Sequence, residues 1–288
     1  MKNYKMMGVI NITPDSFSDG NQYNHFNSFK LKFDELLAWA DIIDIGAESS
    51  APMNSKVESS AEKKRFEEIF FPYIKSRPDP SINLSIDTYK TETFIFVYDF
   101  VKKFWPKTKL YFNDVSGQVD INLLTLLKSE RDFFYILSHN LVEKRELTLK
   151  HMDYCLSINN DDFLKSMNQF FKERLQILKE YQDIIIIDPC FGFSKSREQN
   201  LFLINHFSKF LTSIDFKGEV AVGISKKSFL RPLSFSKSLN AMETSIIEQV
   251  HASILSKFLI NNCDYKFIFR VHDEKIKATL DILNDISS

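Results

Sequence analysis

Eight short apolar runs recur along this chain, and nearly every one ends in a residue able to do chemistry. They occupy residues 6–10, 42–45, 82–86, 110–112, 134–137, 184–187, 220–224 and 267–269. The residues that follow them are, in order, Asn11, Gly46-Ala47-Glu48-Ser49, Asp87, Asn113-Asp114, Ser138-His139, Asp188, Ser225-Lys226-Lys227 and Arg270-Val271-His272. Between successive runs lies enough chain for a helix, with candidates at 27–40, 60–74, 91–104, 122–130, 161–181, 197–212, 243–261 and 273–286. This alternation predicts an α/β fold, a (β/α)8 barrel spanning residues 1–288 as one domain. Most of the runs are apolar throughout, as parallel strands inside a ring of helices are. An open doubly wound sheet would normally carry G-x-G-x-x-G in its first turn, and the chain has none.

Composition narrows the partners. The formal net charge is −1, so there is no global attraction for nucleic acid or an anionic membrane, and any anion site must be local. Cys155, Cys190 and Cys263 are widely spaced, which suggests neither a disulfide framework nor a zinc site. Residues 1–5 carry no apolar leader, and no run approaches the roughly 20 residues of a membrane span. A cytoplasmic enzyme of small molecules is the expectation. Only seven of 288 residues are glycine, against a usual share of about 7%. Six of them lie on a predicted strand or in the turn after one, where backbone must bend sharply or approach a ligand.

Two connections are long, residues 11–26 and 46–59; both contain Ser, Asn and Pro, and the first also Thr and Asp. Long loops in compact domains are often lids. The first reads NITPDSFSDG. It is either a solvated turn cluster or a lid presenting oxygen ligands to a phosphate–Mg²⁺ complex. Magnesium keeps several waters, so the amide oxygen of Asn11 plus substrate phosphates would suffice as ligands.

Taken with DIGAESSAP, SIDTYK, NDVSG, IDPCFGFSKS, GISKKSF and RVHD, in that order over residues 6–273, this loop resembles the dihydropteroate synthases. The resemblance implies the same barrel, and a reaction joining 6-hydroxymethyl-7,8-dihydropterin pyrophosphate to 4-aminobenzoate, with Mg²⁺. It implies that Asp87, Asn113 and Asp188 hold the pterin, and carboxylates are natural acceptors for its donor edge. Lys227 matches a lysine contacting both substrates, Arg270 an arginine that stacks on the pterin, and His272, with Asn11 and Arg270, the pyrophosphate contacts. Phe193 matches a ring in the pterin and aminobenzoate pocket. Phe17, Ser50, Pro52 and Ser225 would line the aminobenzoate site. Asp87, Asp188 and Lys227 would be catalytic, and a homodimer through the last helices is implied. Read singly, Asp87 is equally a helix cap, Asp188-Pro189 a turn, and Lys227 a solvated lysine.

The chain departs from the family in places. Ser49-Ser50-Ala51-Pro52-Met53 stands where S-T-R-P-G is usual, so Ala51 replaces an arginine near the phosphates. Lys226 replaces an arginine and Cys190 a glycine. Leu137-Ser138-His139-Asn140 predicts a more polar wall on one side of the pterin pocket. Three readings follow: an active synthase, a pterin-binding relative without turnover, or a folate-dependent methyltransferase. The first loop, Lys227 and the Arg270–His272 pair favour the synthase, because only a pyrophosphate substrate needs them.

Overall fold

A computed structural model describes residues 3–13, 22–48, 56–129, 131–232, 235 and 240–287. Among these, eight parallel strands close into a barrel in sequence order, with the last strand pairing the first. The strands are β1 Tyr4–Asn11, β2 Ile42–Gly46, β3 Asn83–Asp87, β4 Leu110–Asp114, β5 Phe133–Ser138, β6 Ile185–Asp188, β7 Glu219–Val222 and β8 Lys266–Val271. The helices are α1 Gln22–Leu37, α2 Ser59–Arg65, α3 Phe71–Lys75, α4 Thr91–Phe104, α5 Ile121–Leu127, α6 Asn160–Ile177, α7 Arg197–Asn205, α8 Phe207–Ile214, α9 Ala241–Asn261 and α10 Glu274–Ser287. A single π-helical stretch, Phe66–Phe70, joins α2 to α3, so the two run on from each other.

Three expected helices differ from the sequence reading: the first runs Gln22–Leu37 rather than 27–40, which shortens the connection expected at 11–26. The stretch at 197–212 breaks at His206 (φ −113°, ψ 23°), which lets α8 turn Phe207, Phe210, Leu211 and Ile214 onto the barrel. The helix expected at 161–181 is capped by Asn159, not Asp161, and gives way at Leu178 to a 3₁₀ segment, Lys179–Ile184. A further 3₁₀ segment, Arg145–Tyr154, lies between β5 and α6, where periodicity gives no signal.

Period-two alternation sorts the strand residues into inside and outside. Met7, Ile42, Tyr111, Ile136, Ile186, Ala221 and Ile268 form an apolar layer low in the barrel. Two residues further along each strand come Val9, Asp44, Asn113, Ser138, Asp188, Gly223 and Arg270. The site therefore stands on a packed floor. The outward-facing residues meet the helices in a second, larger core, in which Phe29, Phe33, Phe70, Tyr73 and Trp105 pack ring against ring. Fully burying one such side chain stabilises by about 1.5–3 kcal/mol. At Gly8 the helix α1 approaches so closely that an added Cβ would sit 2.6 Å from Leu36 Cδ2, so this strand position admits no side chain without a shift.

Candidate functional site

The C-terminal ends of the strands open into a cavity of about 580 Å³. Asn11, Asp87, Phe193, Ser225, Lys227, Arg270 and His272 line it, so residues from five strand ends converge as the sequence predicts. Asn113 and Asp188 are buried and are not among the lining residues. Phe17, Ser50 and Pro52, with Ala51, lie outside the described residues.

An ion-paired cluster forms the bottom of the mouth. The Arg270 Nε donates to Asp44 Oδ2 and its Nη2 to Asp87 Oδ2, each at 2.6 Å. Asp44, fully buried in the middle of β2, also accepts from Asn113 Nδ2 at 3.3 Å. The sequence reading missed Asp44. Its signal was a charged residue inside the apolar run Ile42-Ile43-Asp44-Ile45, at the inward-facing parity. Asp87 caps no helix: Lys90 occupies the cap position of α4, with no side-chain cap. Asp188 does close a turn, with Cys190 N donating to its Oδ1 at 2.6 Å.

Burial dominates the electrostatics. It raises Asp87 to about 7, against the pull of Arg270 and with the help of neighbouring Asp44. It raises Asp188 to about 6, opposed by the Cys190 amide and by Lys227. Burial lowers Lys227, and holds His272 down at about 3, with Arg270, Lys226 and Lys227 adding to the effect. His272 is thus a neutral imidazole here, its Nδ1 2.9 Å from Ser225 Oγ.

The turn after β6 seats Lys227. Gly192 has φ +86°, and a Cβ there would lie 3.3 Å from Lys227 Cδ. The Lys227 ammonium rests 4.8 Å from the centre of the Phe193 ring. Cys190, standing where the family usually has glycine, takes φ 51°, a region that disfavours side chains. It packs with Tyr89, Val115 and Phe193. The polar wall expected from 137–140 is only partly present. Ser138 takes the inward parity, but His139 packs on Phe170 outside the barrel and hydrogen-bonds Lys195 Nζ at 2.9 Å. Alternation explains this, since consecutive strand residues face opposite ways.

Two further features went unread in the sequence. Lys195 is buried and donates to the carbonyls of Phe193 (2.9 Å) and Cys190 (3.2 Å), bracing the turn that carries Phe193. Burial lowers it to about 8. Arg145 pins the 3₁₀ segment between β5 and α6 to Asp114 and Asp120, each at 2.7 Å.

A family described as "Pterin binding enzyme" matches residues 7–256. Dihydropteroate synthase from Streptococcus pyogenes is 30% identical over 291 residues, covering 99% of this chain and 95% of its own length. This chain belongs to the dihydropteroate synthase family of pterin-binding enzymes. A bifunctional dihydropteroate synthase/dihydropteroate reductase of Helicobacter pylori is 31% identical over 278 residues, and the chain spans 93% of itself but only 64% of that protein. The fold agrees with a crystal structure of dihydropteroate synthase from Anaplasma phagocytophilum with bound 6-hydroxymethylpterin-monophosphate. The TM-score is 0.76 at 24% identity, covering 99% of this chain and all of that one. The described parts of the motifs quoted from the sequence begin at the C-terminal ends of strands, and Asn11, Asp87, Phe193, Ser225, Lys227, Arg270 and His272 from them line one cavity. Among the described residues, no helix is long and apolar enough to cross a membrane.

Proposed function

We infer that the chain is a dihydropteroate synthase, joining 6-hydroxymethyl-7,8-dihydropterin pyrophosphate to 4-aminobenzoate and releasing pyrophosphate. The observation that carries this reading is the cluster of Asp44, Asp87 and Arg270, with Asp188 and Lys227 beside it, at the foot of a cavity rimmed by Asn11 and His272. Asp87, Asn113 and Asp188 receive the pterin. A donor-rich edge favours the ionised form of both carboxyls, drawing their raised pKa values down as it binds.

The C–O bond to pyrophosphate breaks and its electron pair leaves with the oxygen. Positive charge grows on the pterin, and Asp87 and Asp188 offset it. The amine of 4-aminobenzoate then supplies the pair for the new C–N bond and loses a proton to the released pyrophosphate or to solvent. No protein nucleophile is needed. Lys227, Arg270 and His272 face the leaving group. Ser225, with Phe17, Ser50 and Pro52, contacts the aminobenzoate. Phe193 packs against both substrates.

Asn11 would hold magnesium. Its Oδ1 lies at the mouth, where a Cβ on Gly46 would come within 3.1 Å of it, and the bare glycine leaves that oxygen room. Among the described residues, no group of three or more His, Cys, Asp or Glu side chains is placed to hold a metal. An ion resting mainly on substrate phosphates and water fits such a donor set. Bound magnesium supplies charge neutralisation to the pyrophosphate as it departs. A homodimer through α9 and α10 also belongs to this reading, since Ile260 and Ile282 there are 61% and 60% exposed, as does a cytoplasmic location.

The experiment mixes purified protein with the pterin pyrophosphate, 4-aminobenzoate and Mg²⁺ and measures pteroate. Pterin binding by calorimetry without product would leave a binding protein rather than a synthase. Absence of both would remove the pterin site.

A further inference from the structure

We propose that His151 is a positioning residue for the condensation, holding the Phe193 ring in place against the Lys227 ammonium. The proposal rests on the synthase reading of the site. His151 comes from the 3₁₀ segment Arg145–Tyr154, which no motif of the family covers. It is only 1% exposed, and its ring stacks on Phe193 with centroids 4.0 Å apart and planes 24° from parallel. Both rings line the substrate cavity.

The segment that delivers His151 is anchored at both ends. Arg145 makes four hydrogen bonds: Nε to Asp120 Oδ2 (2.7 Å), Nη1 to Asp114 Oδ2 (2.7 Å) and to the Tyr89 carbonyl (2.7 Å), and Nη2 to the Gln118 carbonyl (2.8 Å). These partners lie at the end of β4 and in the connections after β3 and β4, so the connection after β5 is tied to both. At the other end, Ser194 Oγ donates to the His151 carbonyl at 3.1 Å and accepts from Leu141 N at 3.1 Å. The segment bends at Lys150 (φ −91°, ψ 16°), directly before His151, and is tied down on both sides of the bend.

Phe193 needs the plane of the His151 ring. Its backbone is held by the turn, with Phe193 N donating to the Cys190 carbonyl and Lys195 Nζ to its own carbonyl. Those bonds fix the backbone but not the side-chain torsions, and the ring shares its buried apolar cluster only with Tyr89, Val115 and Cys190 among the described buried residues. A stacked imidazole removes that freedom through an offset aromatic contact. The ring in turn offers a π-face to Lys227. If it swings away, the ammonium loses its seat beside the reacting atoms.

The test uses the full chain and compares His151→Ala, His151→Leu and His151→Phe. Measured are kcat and KM for both substrates, pterin affinity by calorimetry, and the thermal midpoint. Alanine removes the stack, leucine fills the space without a ring, and phenylalanine restores the stack without the nitrogens. The expected result is a loss of about tenfold in kcat/KM for alanine and leucine, since small misplacements near the chemistry cost rate steeply. Phenylalanine stays within about threefold of the wild type. Leucine at wild-type activity with a normal midpoint would overturn the proposal. So would phenylalanine falling as far as alanine, which would make the imidazole a polar participant. Should the wild type form no pteroate, the function is misread, and pterin affinity alone across the same variants still decides the positioning role.

Discussion

Arg270 bridges two carboxylates: its Nη2 lies 2.6 Å from Asp87 Oδ2, while its Nε is held by Asp44 at the same distance. A guanidinium fixed at two points has its plane set, which suits the proposed stacking of Arg270 on the flat pterin ring. Asp44 is the deeper anchor. Asp44→Ala leaves a largely buried cation short of a partner and is expected to destabilise the fold by about 3 kcal/mol. The urea midpoint reads this, and an unchanged midpoint would mean that Asp44 does not anchor Arg270.

Asp188→Asn is expected to weaken dihydropterin binding by about 2 kcal/mol, close to thirtyfold, the worth of a hydrogen bond to a charged acceptor. The turn bond from Cys190 N survives, because the amide oxygen still accepts it. Calorimetry checks the affinity. Equal affinity in mutant and wild type would place the pterin elsewhere.

The raised carboxyls give opposite pH trends for stability and binding. Unfolded aspartate ionises near pH 3.9, but folded Asp188 and Asp87 do so at about 6 and about 7. Between those limits the folded chain binds more protons than the unfolded chain. Their contribution to stability is therefore complete below about pH 4 and is lost as pH rises towards about 7. Dihydropterin binding needs the ionised carboxylates, so its affinity should climb between about pH 5.5 and about pH 7.5. Titration calorimetry across that range, repeated with Asp188→Asn to remove the lower limb, tests the binding trend, and urea midpoints between about pH 4 and about pH 7 test the stability trend.

Chelating magnesium should weaken binding of the pterin pyrophosphate while sparing the pterin without phosphates. Asn11→Ala should raise the magnesium concentration needed for half-maximal activity by about tenfold, as loss of one oxygen ligand would. A normal magnesium requirement in that variant would give the metal another protein ligand.

Ala51 stands where a guanidinium usually meets the phosphates, and charge-assisted contacts are the strong ones. Ala51→Arg is expected to lower KM for the pterin pyrophosphate by about tenfold, with KM for 4-aminobenzoate nearly unchanged. No change in either would mean that another cation already fills the role.

The barrel was legible because its strands are apolar runs with polar ends, and a strand's parity then decides what faces the lumen. The same parity would have yielded Asp44, and would have turned His139 outward. Arg145 and His151 were not legible. They lie in a segment with no helical or strand period, and their partners, Asp114, Asp120 and Phe193, are 25 or more residues away. The break at His206 was hidden by an apolar pattern continuous across it. Cys190 stands in place of a glycine, and the backbone there has φ 51°, a region that favours glycine.

The apolar layer of Met7, Ile42, Tyr111, Ile136, Ile186, Ala221 and Ile268 beneath the ion pairs has a consequence for inhibition. A compound copying the donor edge of a pterin would touch side chains fixed by strands, and escape by substitution there would strand a buried charge. A compound copying 4-aminobenzoate would rest, on the proposed reading, in part on Ser225, which lies in the turn beyond β7 and outside the buried ion-paired cluster. Resistance should therefore arise more readily against the second class than against the first.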